Sequence, residues 1–136
     1  MSPAPPSFTL APVLALALAA CTAPDCAPGT TPGIVTTLFF GLSRQNQPDV
    51  PEAAWRDFLE RDLLGQLPGA TVVEGLGAVR EPGKAPVTER SRVVTIGHRG
   101  NPEQRQALAE AIGRYRSRFD QWGVGRADVG ACTNFD

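Results

Sequence analysis

The order of segments in this 136-residue chain predicts an α+β fold, a ferredoxin-like βαββαβ sandwich with two helices on one face of a four-stranded antiparallel sheet. Strand-like and helix-like stretches follow one another in the order β-α-β-β-α-β after residue 33. Right-handed crossovers then place both helices on the same face of the sheet. The first and third strands are the most apolar, which suits the two central positions of such a sheet.

The first strand and the first helix follow a segment rich in proline and threonine. Ile34–Leu42 (IVTTLFFGL) is β-branched and aromatic and predicts a strand with apolar residues on both faces. Pro51–Leu64 predicts a helix, because Pro51 suits a first turn and one apolar stripe recurs at helical spacing. The residues of that stripe are Trp55, Phe58, Leu59 and Leu63.

A hairpin is expected next. Thr71–Val79 predicts a strand in which Gly75 and Gly77 indicate a bulge or an edge position. Arg92–Ile96 (RVVTI) predicts the third strand, and the loop between the two strands is expected to be exposed.

The second helix has the clearest signals in the chain. Asn101 is a capping residue followed by a proline and an acidic first turn. The apolar stripe of this helix consists of Leu108, Ile112, Tyr115 and Phe119. Arg126–Phe135 predicts a last, polar edge strand.

The N-terminus resembles a bacterial lipoprotein signal. Phe8–Ala20 (FTLAPVLALALAA) is shorter than the roughly 20 residues that span a bilayer as a helix, and it matches the apolar region of a secretory signal. Its last three residues and the one that follows, Leu18-Ala19-Ala20-Cys21, resemble a lipobox, a motif whose cysteine is acylated and becomes the mature N-terminus. The usual positive charge before the run is missing. The alternative is an ordinary signal peptide, with Cys21 incidental.

These features predict the organisation and location of the chain. We expect a lipoprotein signal peptide at residues 1–20, a Pro/Thr/Gly-rich linker at residues 21–33 that begins with the lipidated cysteine, and a single α+β domain at residues 34–136. The mature protein is then exported, periplasmic or on the cell surface, and anchored to a bacterial membrane by its N-terminal lipid.

Two further cysteines lie near the two ends of the predicted domain. Cys26 precedes the first strand and Cys132 lies in the last one. Export would place both thiols in an oxidising compartment, which favours a disulfide between them. Free thiols and an intermolecular bridge are the alternatives. A metal site is not expected, because two cysteines and a distant histidine fall short of the usual four ligands.

The charge balance argues against nucleic-acid binding. The chain has 13 Lys+Arg against 14 Asp+Glu and a pI of about 5.8, without the basic surplus that neutralises phosphates. The predicted sheet instead suggests a protein contact. Its first strand presents Leu38, Phe40 and Leu42 on one face and Val35, Thr37 and Phe39 on the other. Two helices can cover only one of these faces, so the uncovered face would be an exposed apolar patch. A homodimer through this face is one expectation; the alternatives are another partner, a ligand, or the linker or hairpin folded over it.

Candidate chemistry centres on the third strand. His98, the one histidine, is either a general base or a hydrogen-bonded histidine at the rim of the core, and its shared face with Val94 and Ile96 favours the second. Ser91 lies seven positions away and therefore on the opposite face, which disfavours a Ser-His pair.

A polar cluster is the second candidate site. Glu89 shares a face with Ser91 and, together with Arg44 and Arg92, could form a cluster that binds a carboxylate or another anion; ordinary surface ion pairing is the favoured alternative. No metal, nucleotide or haem motif appears in the sequence, so no cofactor is expected.

Six segments together resemble a bacterial family of exported proteins, catalogued as domain of unknown function number thirty-five seventy-four. They are TTLFFGLSR (Thr36 to Arg44), AAWRDFL (Ala53 to Leu59), LPGATV (Leu67 to Val72), ERSRVVTIGH (Glu89 to His98), RYRSRF (Arg114 to Phe119) and ACTNF (Ala131 to Phe135). The resemblance implies a signal or lipobox, and one cysteine before the first strand and another near the end. It implies no activity.

The sequence therefore predicts a membrane-tethered lipoprotein with a small binding domain that does not catalyse. The second interpretation is a cofactor-free enzyme of the dimeric ferredoxin-like type. Its pocket on the sheet would contain His98 with Arg44 or Arg92.

Overall fold

A computed structural model describes residues 25–80 and 82–134, which form four strands and two helices in the predicted order. The predicted signal peptide at residues 1–20 and Cys21 lie outside the described residues. The elements are β1 (Thr31–Gly41), α1 (Glu52–Phe58), β2 (Thr71–Val79), β3 (Val87–His98), α2 (Pro102–Phe119) and β4 (Gly125–Thr133).

The four strands form one antiparallel sheet in the order β2-β3-β1-β4. This confirms the predicted α+β fold, with the two apolar strands in the middle and the glycine-rich and polar strands at the edges. The register places Thr36 between Ile96 of β3 and Asp128 of β4. Because neighbouring residues across a ladder share a face, this register decides which side chains meet.

Several elements differ in extent from the sequence prediction: β1 begins at Thr31 and not at Ile34, and β4 covers Gly125–Thr133 and not Arg126–Phe135. β3 runs over Val87–His98 and not only Arg92–Ile96, because it pairs with β2 along a continuous ladder from Val87 to Thr95. The ladder holds the polar residues of this stretch in strand conformation, and it contains no bulge at the β2 glycines. The first helix ends at Phe58 and continues as one π-helical turn, Leu59–Leu63, that keeps Leu63 buried.

The core lies between the sheet and the helices and is centred on Phe40. Its ring makes edge contacts with Trp55 and Phe58 of the first helix and with Tyr115 of the second, at centroid distances of 5.3, 5.5 and 4.6 Å. The Tyr115 hydroxyl donates to the Gly41 carbonyl oxygen at 2.7 Å, which ties α2 to the end of β1. Both helices therefore pack on one face, as predicted.

A disulfide joins Cys26 to Cys132, with their Cα atoms 5.5 Å apart. This confirms the predicted intramolecular bridge. It connects the segment before β1 to the end of β4 and closes a loop with a sequence separation of 106. Within the described part of the chain, neither helix is long and apolar enough to cross a membrane.

Candidate functional site

The sheet face opposite the helices, which we call the open face, carries exposed apolar side chains. Phe39 is 46% exposed, Val73 53%, Val87 61% and Val129 63%. These fractions are high for large apolar residues in central or paired strands. At such exposures the described parts of the linker and the β2–β3 hairpin do not cover these side chains.

A strip with few side chains, which we call the Glu89 trough, crosses the open face; it consists of Glu89 and Ser91 with three facing glycines. In the register, Ser91 lies between Gly75 of β2 and Gly41 of β1, and Glu89 lies opposite Gly77 of β2. Side chains are therefore missing on both sides of Ser91. The trough is bounded by an apolar row on either side, Phe39–Val93–Val73 on one and Val79–Val87 on the other.

The two polar side chains of the trough lie close to the glycine backbone. A Cβ atom on Gly41 would lie 2.6 and 2.7 Å from the two carboxylate oxygens of Glu89, so the carboxylate rests on the β1 backbone. A Cβ atom on Gly75 would lie 2.9 Å from Ser91 Oγ. Gly77 is less constrained, since its Cβ would come no nearer than 3.8 Å to Glu89. Glycine at positions 41 and 75 is thus needed for these side-chain positions.

The electrostatic environment of Glu89 disfavours its charge. Burial raises the pKa of the Glu89 carboxyl, the hydrogen bond from the backbone N–H of Ser43 lowers it, and the nearby negative charge of Asp49 raises it. Among the residues at 25–80 and 82–134, no cationic side chain forms a salt bridge with Glu89. The carboxylate therefore keeps acceptor capacity that the Ser43 N–H does not use.

His98 lies on the helix-covered face and is 1% exposed. The Gly100 N–H donates to its Nδ1 at 3.1 Å, so the neutral ring carries its proton on Nε2, which lies 2.8 Å from Thr36 Oγ1. The Thr36 hydroxyl in turn donates to Asp128 at 2.5 Å. Burial lowers the pKa of His98; the Asp128 charge acts in the opposite direction. His98 and Ser91 lie on opposite faces, so they cannot act together on one substrate.

The expected cluster of Glu89 with the two arginines does not form. Arg92 follows Ser91 and therefore points to the helix-covered face, where its guanidinium binds Glu52 at 2.5 Å and also pairs with Glu74. Arg44 lies in the loop after β1 and donates to the Pro48 carbonyl oxygen at 2.7 Å. The proposed anion site is wrong on this geometry, because Arg92 is already neutralised and lies across the sheet from Glu89.

The predicted enzyme pocket is not assembled either. His98 pairs with Ile34 at one end of the β1–β3 ladder, whereas Arg92 pairs with Phe40 near the other end. Six residues of strand separate the two by about 20 Å.

The sequence reasoning missed the trough itself, although one signal for it was present. Gly75-x-Gly77 and Glu89-x-Ser91 share the same spacing on two strands of one hairpin, so each glycine faces a polar residue in the observed register. Gly41 could not have been placed in this way, because β1 is distant in sequence.

The comparisons with known proteins support the fold and leave the chemistry open. The family described as "Protein of unknown function (DUF3574)" matches residues 35–135. Among curated proteins, no sequence matches this chain.

Two solved structures of a phage SAM lyase share the fold. The complex with S-methyl-5'-thioadenosine is 20% identical, covers 83% of this chain and 97% of the lyase, and has a TM-score of 0.57. The apo state is 18% identical, covers 82% and 91%, and has the same TM-score of 0.57. At this identity the likeness concerns the fold alone.

Proposed function

The chain belongs to this family of proteins of unknown function, and we propose that it is an exported, lipid-anchored binding domain whose open face is the binding surface. The observation that carries the proposal is the row of exposed apolar side chains on that face, Phe39 and Val73 among them. The disulfide supports export, since such bridges persist in oxidising compartments. The lipobox at Cys21 supplies the anchor.

The partner proposed for the open face is a second copy of the chain. Four strands of about nine residues give a face of roughly 570 Å², so two stacked faces would bury about 1,100 Å² in total. This lies just below the usual range of specific interfaces, which begins at about 1,200 Å². We therefore expect a weak dimer that forms at high local concentration, a condition that a shared membrane anchor provides.

The anchor is tested by mass spectrometry of the N-terminal peptide from the membrane fraction. The expected result is a diacylated Cys21 at the mature N-terminus. The matched control is Cys21→Ser, which should release the protein from the membrane fraction. An unmodified mature protein in the soluble fraction, with its N-terminus at another residue, would refute the lipid anchor. That result would not bear on the proposed binding by the open face.

The dimer is tested by analytical ultracentrifugation over a wide concentration range. Val73→Lys places a charge on the open face and should abolish association. Leu76→Lys is the matched control: Leu76 lies on the same strand and is 76% exposed, but it points to the other face. If both variants associate like the original protein, or if that protein stays monomeric at millimolar concentration, a second copy is not the partner.

An enzyme is the second candidate, and the structural likeness to a phage SAM lyase is what favours it. On this chain the residues proposed for it are Glu89 and Ser91, because their side chains lie together in the Glu89 trough and Glu89 is the ionisable one. S-adenosylmethionine consumption by the purified protein, lost in Glu89→Gln, would support this candidate. If the original protein consumes S-adenosylmethionine no faster than Glu89→Gln does, the enzyme candidate is refuted.

A further inference from the structure

We propose that the Glu89 trough binds a small organic cation that carries N–H donors, a primary ammonium or a guanidinium, joined to an apolar group. This rests on the proposed function of the open face as a binding surface. It adds the chemical class of the ligand and the side chains that recognise it.

The polar part of the trough offers hydrogen-bond acceptors. Glu89 holds its carboxylate over the Gly41 backbone and uses part of its acceptor capacity on the Ser43 N–H. Ser91 is the next residue on the same face, and its hydroxyl oxygen also accepts hydrogen bonds. A ligand with two or three N–H groups on one positive centre can donate to both, which an aprotic cation cannot do.

Burial makes the Glu89 carboxylate a strong partner for a cation. Burial penalises the negative charge and raises the pKa of the carboxyl, and the negative charge of Asp49 acts in the same direction. A positive charge placed beside the Glu89 carboxylate would offset both effects, and charge-assisted hydrogen bonds are the stronger kind. We therefore expect the trough to select ligands by charge: cations bind, and neutral or anionic molecules of the same shape do not.

The space and the walls of the trough define the rest of the ligand. The missing side chain at Gly77 leaves room beside Glu89, because nothing nearer than 3.8 Å would oppose a Cβ there, whereas Ser91 Oγ occupies the space over Gly75. The apolar row next to this space is Val79–Val87, and the row of Phe39 and Val73 lies beyond Ser91 on the other side. An apolar group attached to the cation would cover part of the nearer row and remove it from water.

A metal ion does not suit these residues. Calcium takes six to eight oxygen ligands, and magnesium needs near-octahedral geometry. One carboxylate and one hydroxyl are too few for either, and no group of three or more candidate ligands occurs within the part of the chain that the structure describes.

The test compares two probes of equal shape on the purified protein with its disulfide intact. The probes are 2-phenylethylamine, which is protonated at neutral pH, and 2-phenylethanol, its neutral counterpart. Binding is measured by isothermal titration calorimetry and by amide chemical shifts in NMR. The expected result is saturable binding of the amine at least tenfold tighter than that of the alcohol, with shifts at Gly41, Gly75 and Ser91. Phenylguanidine, titrated in the same way, shows whether the trough binds a guanidinium more or less tightly than a primary ammonium.

Two variants with one control complete the test. Glu89→Gln keeps an acceptor for the Ser43 N–H and removes the charge, and it should weaken amine binding at least tenfold. Gly77→Ala fills the trough without a clash and should weaken it severalfold. Gly113→Ala on α2, where an added Cβ meets nothing within 4 Å, should bind normally. Equal binding of amine and alcohol, or normal amine binding by Glu89→Gln, would overturn the proposal. In that case a loss of self-association in Val73→Lys would still support the proposed function of the open face, because that experiment does not involve the amine.

Discussion

Protonation of His98 should control the acid stability of the domain. His98 is 1% exposed and is held neutral by two contacts: Nδ1 accepts from the Gly100 N–H, and Nε2 donates to Thr36. A proton on Nδ1 would break the first contact and leave two donors facing each other. Burial is the largest cause of the lowered His98 pKa, and among nearby charges Asp128 favours the protonated ring.

The sign and size of the effect follow from linkage. The unfolded chain binds a proton at His98 below a pH of about 6.5, whereas the folded chain binds it only at lower pH. The contribution of His98 to stability is therefore complete above pH 6.5 and is lost as the pH falls toward the folded pKa. Within that window the free energy of unfolding should fall by up to about 1.4 kcal/mol per pH unit.

Urea unfolding followed by the fluorescence of the buried Trp55, at several pH values between 7.5 and 5, measures this slope. Because the chain has one histidine, the slope that His98→Gln removes belongs to that residue. Thr36→Val keeps the histidine and removes its acceptor, so the slope should persist while stability falls by about 1–3 kcal/mol at every pH. Equal pH slopes for the original protein and His98→Gln would refute the reasoning.

Other contacts give further predictions. Replacing Cys26 and Cys132 by serine should lower the free energy of unfolding by up to about 5 kcal/mol, read from urea midpoints, because the bridge closes a long loop; an unchanged midpoint would contradict this. Tyr115→Phe should cost about 1 kcal/mol, since it removes the bond to the Gly41 carbonyl. Arg92→Met should be near neutral in thermal unfolding, because burying the guanidinium offsets its ion pairs and its two glutamate partners are exposed. A loss above about 3 kcal/mol in Arg92→Met would show the pairs to be strongly stabilising.

Strand periodicity made much of this fold predictable. The alternation of side chains along β1 correctly separated Phe40 and Phe39 onto opposite faces, and the structure places Phe40 in the core and Phe39 on the open face. The same parity places Ser91 and His98 on opposite faces, as the structure has them. These inferences need only positions within one strand, and strand geometry fixes them without knowledge of any partner.

Contacts between distant segments could not be predicted in the same way. Glu52 and Glu74 reach Arg92 from α1 and β2, across 40 and 18 residues of sequence. Glu89 and Arg92 are three positions apart in one strand, so strand alternation places them on opposite faces. The expected cluster of the two side chains was inconsistent with this alternation. The carboxylate of Glu89 rests on Gly41 because of the β1–β3 register, which local propensity does not encode.

The three glycines of the trough separate a structural requirement from a functional one. None of them has a positive φ, so backbone conformation does not demand glycine there. Gly41 and Gly75 accommodate side chains that an added Cβ would strike, whereas Gly77 has only ordinary contacts. Glycine at position 77 thus costs about 0.5–1 kcal/mol relative to alanine without a steric reason in the folded chain. Gly77→Ala should therefore stabilise the domain by that amount while it weakens amine binding. A residue that weakens the fold and opens a space beside Glu89 is expected of a binding surface, where stability yields to function.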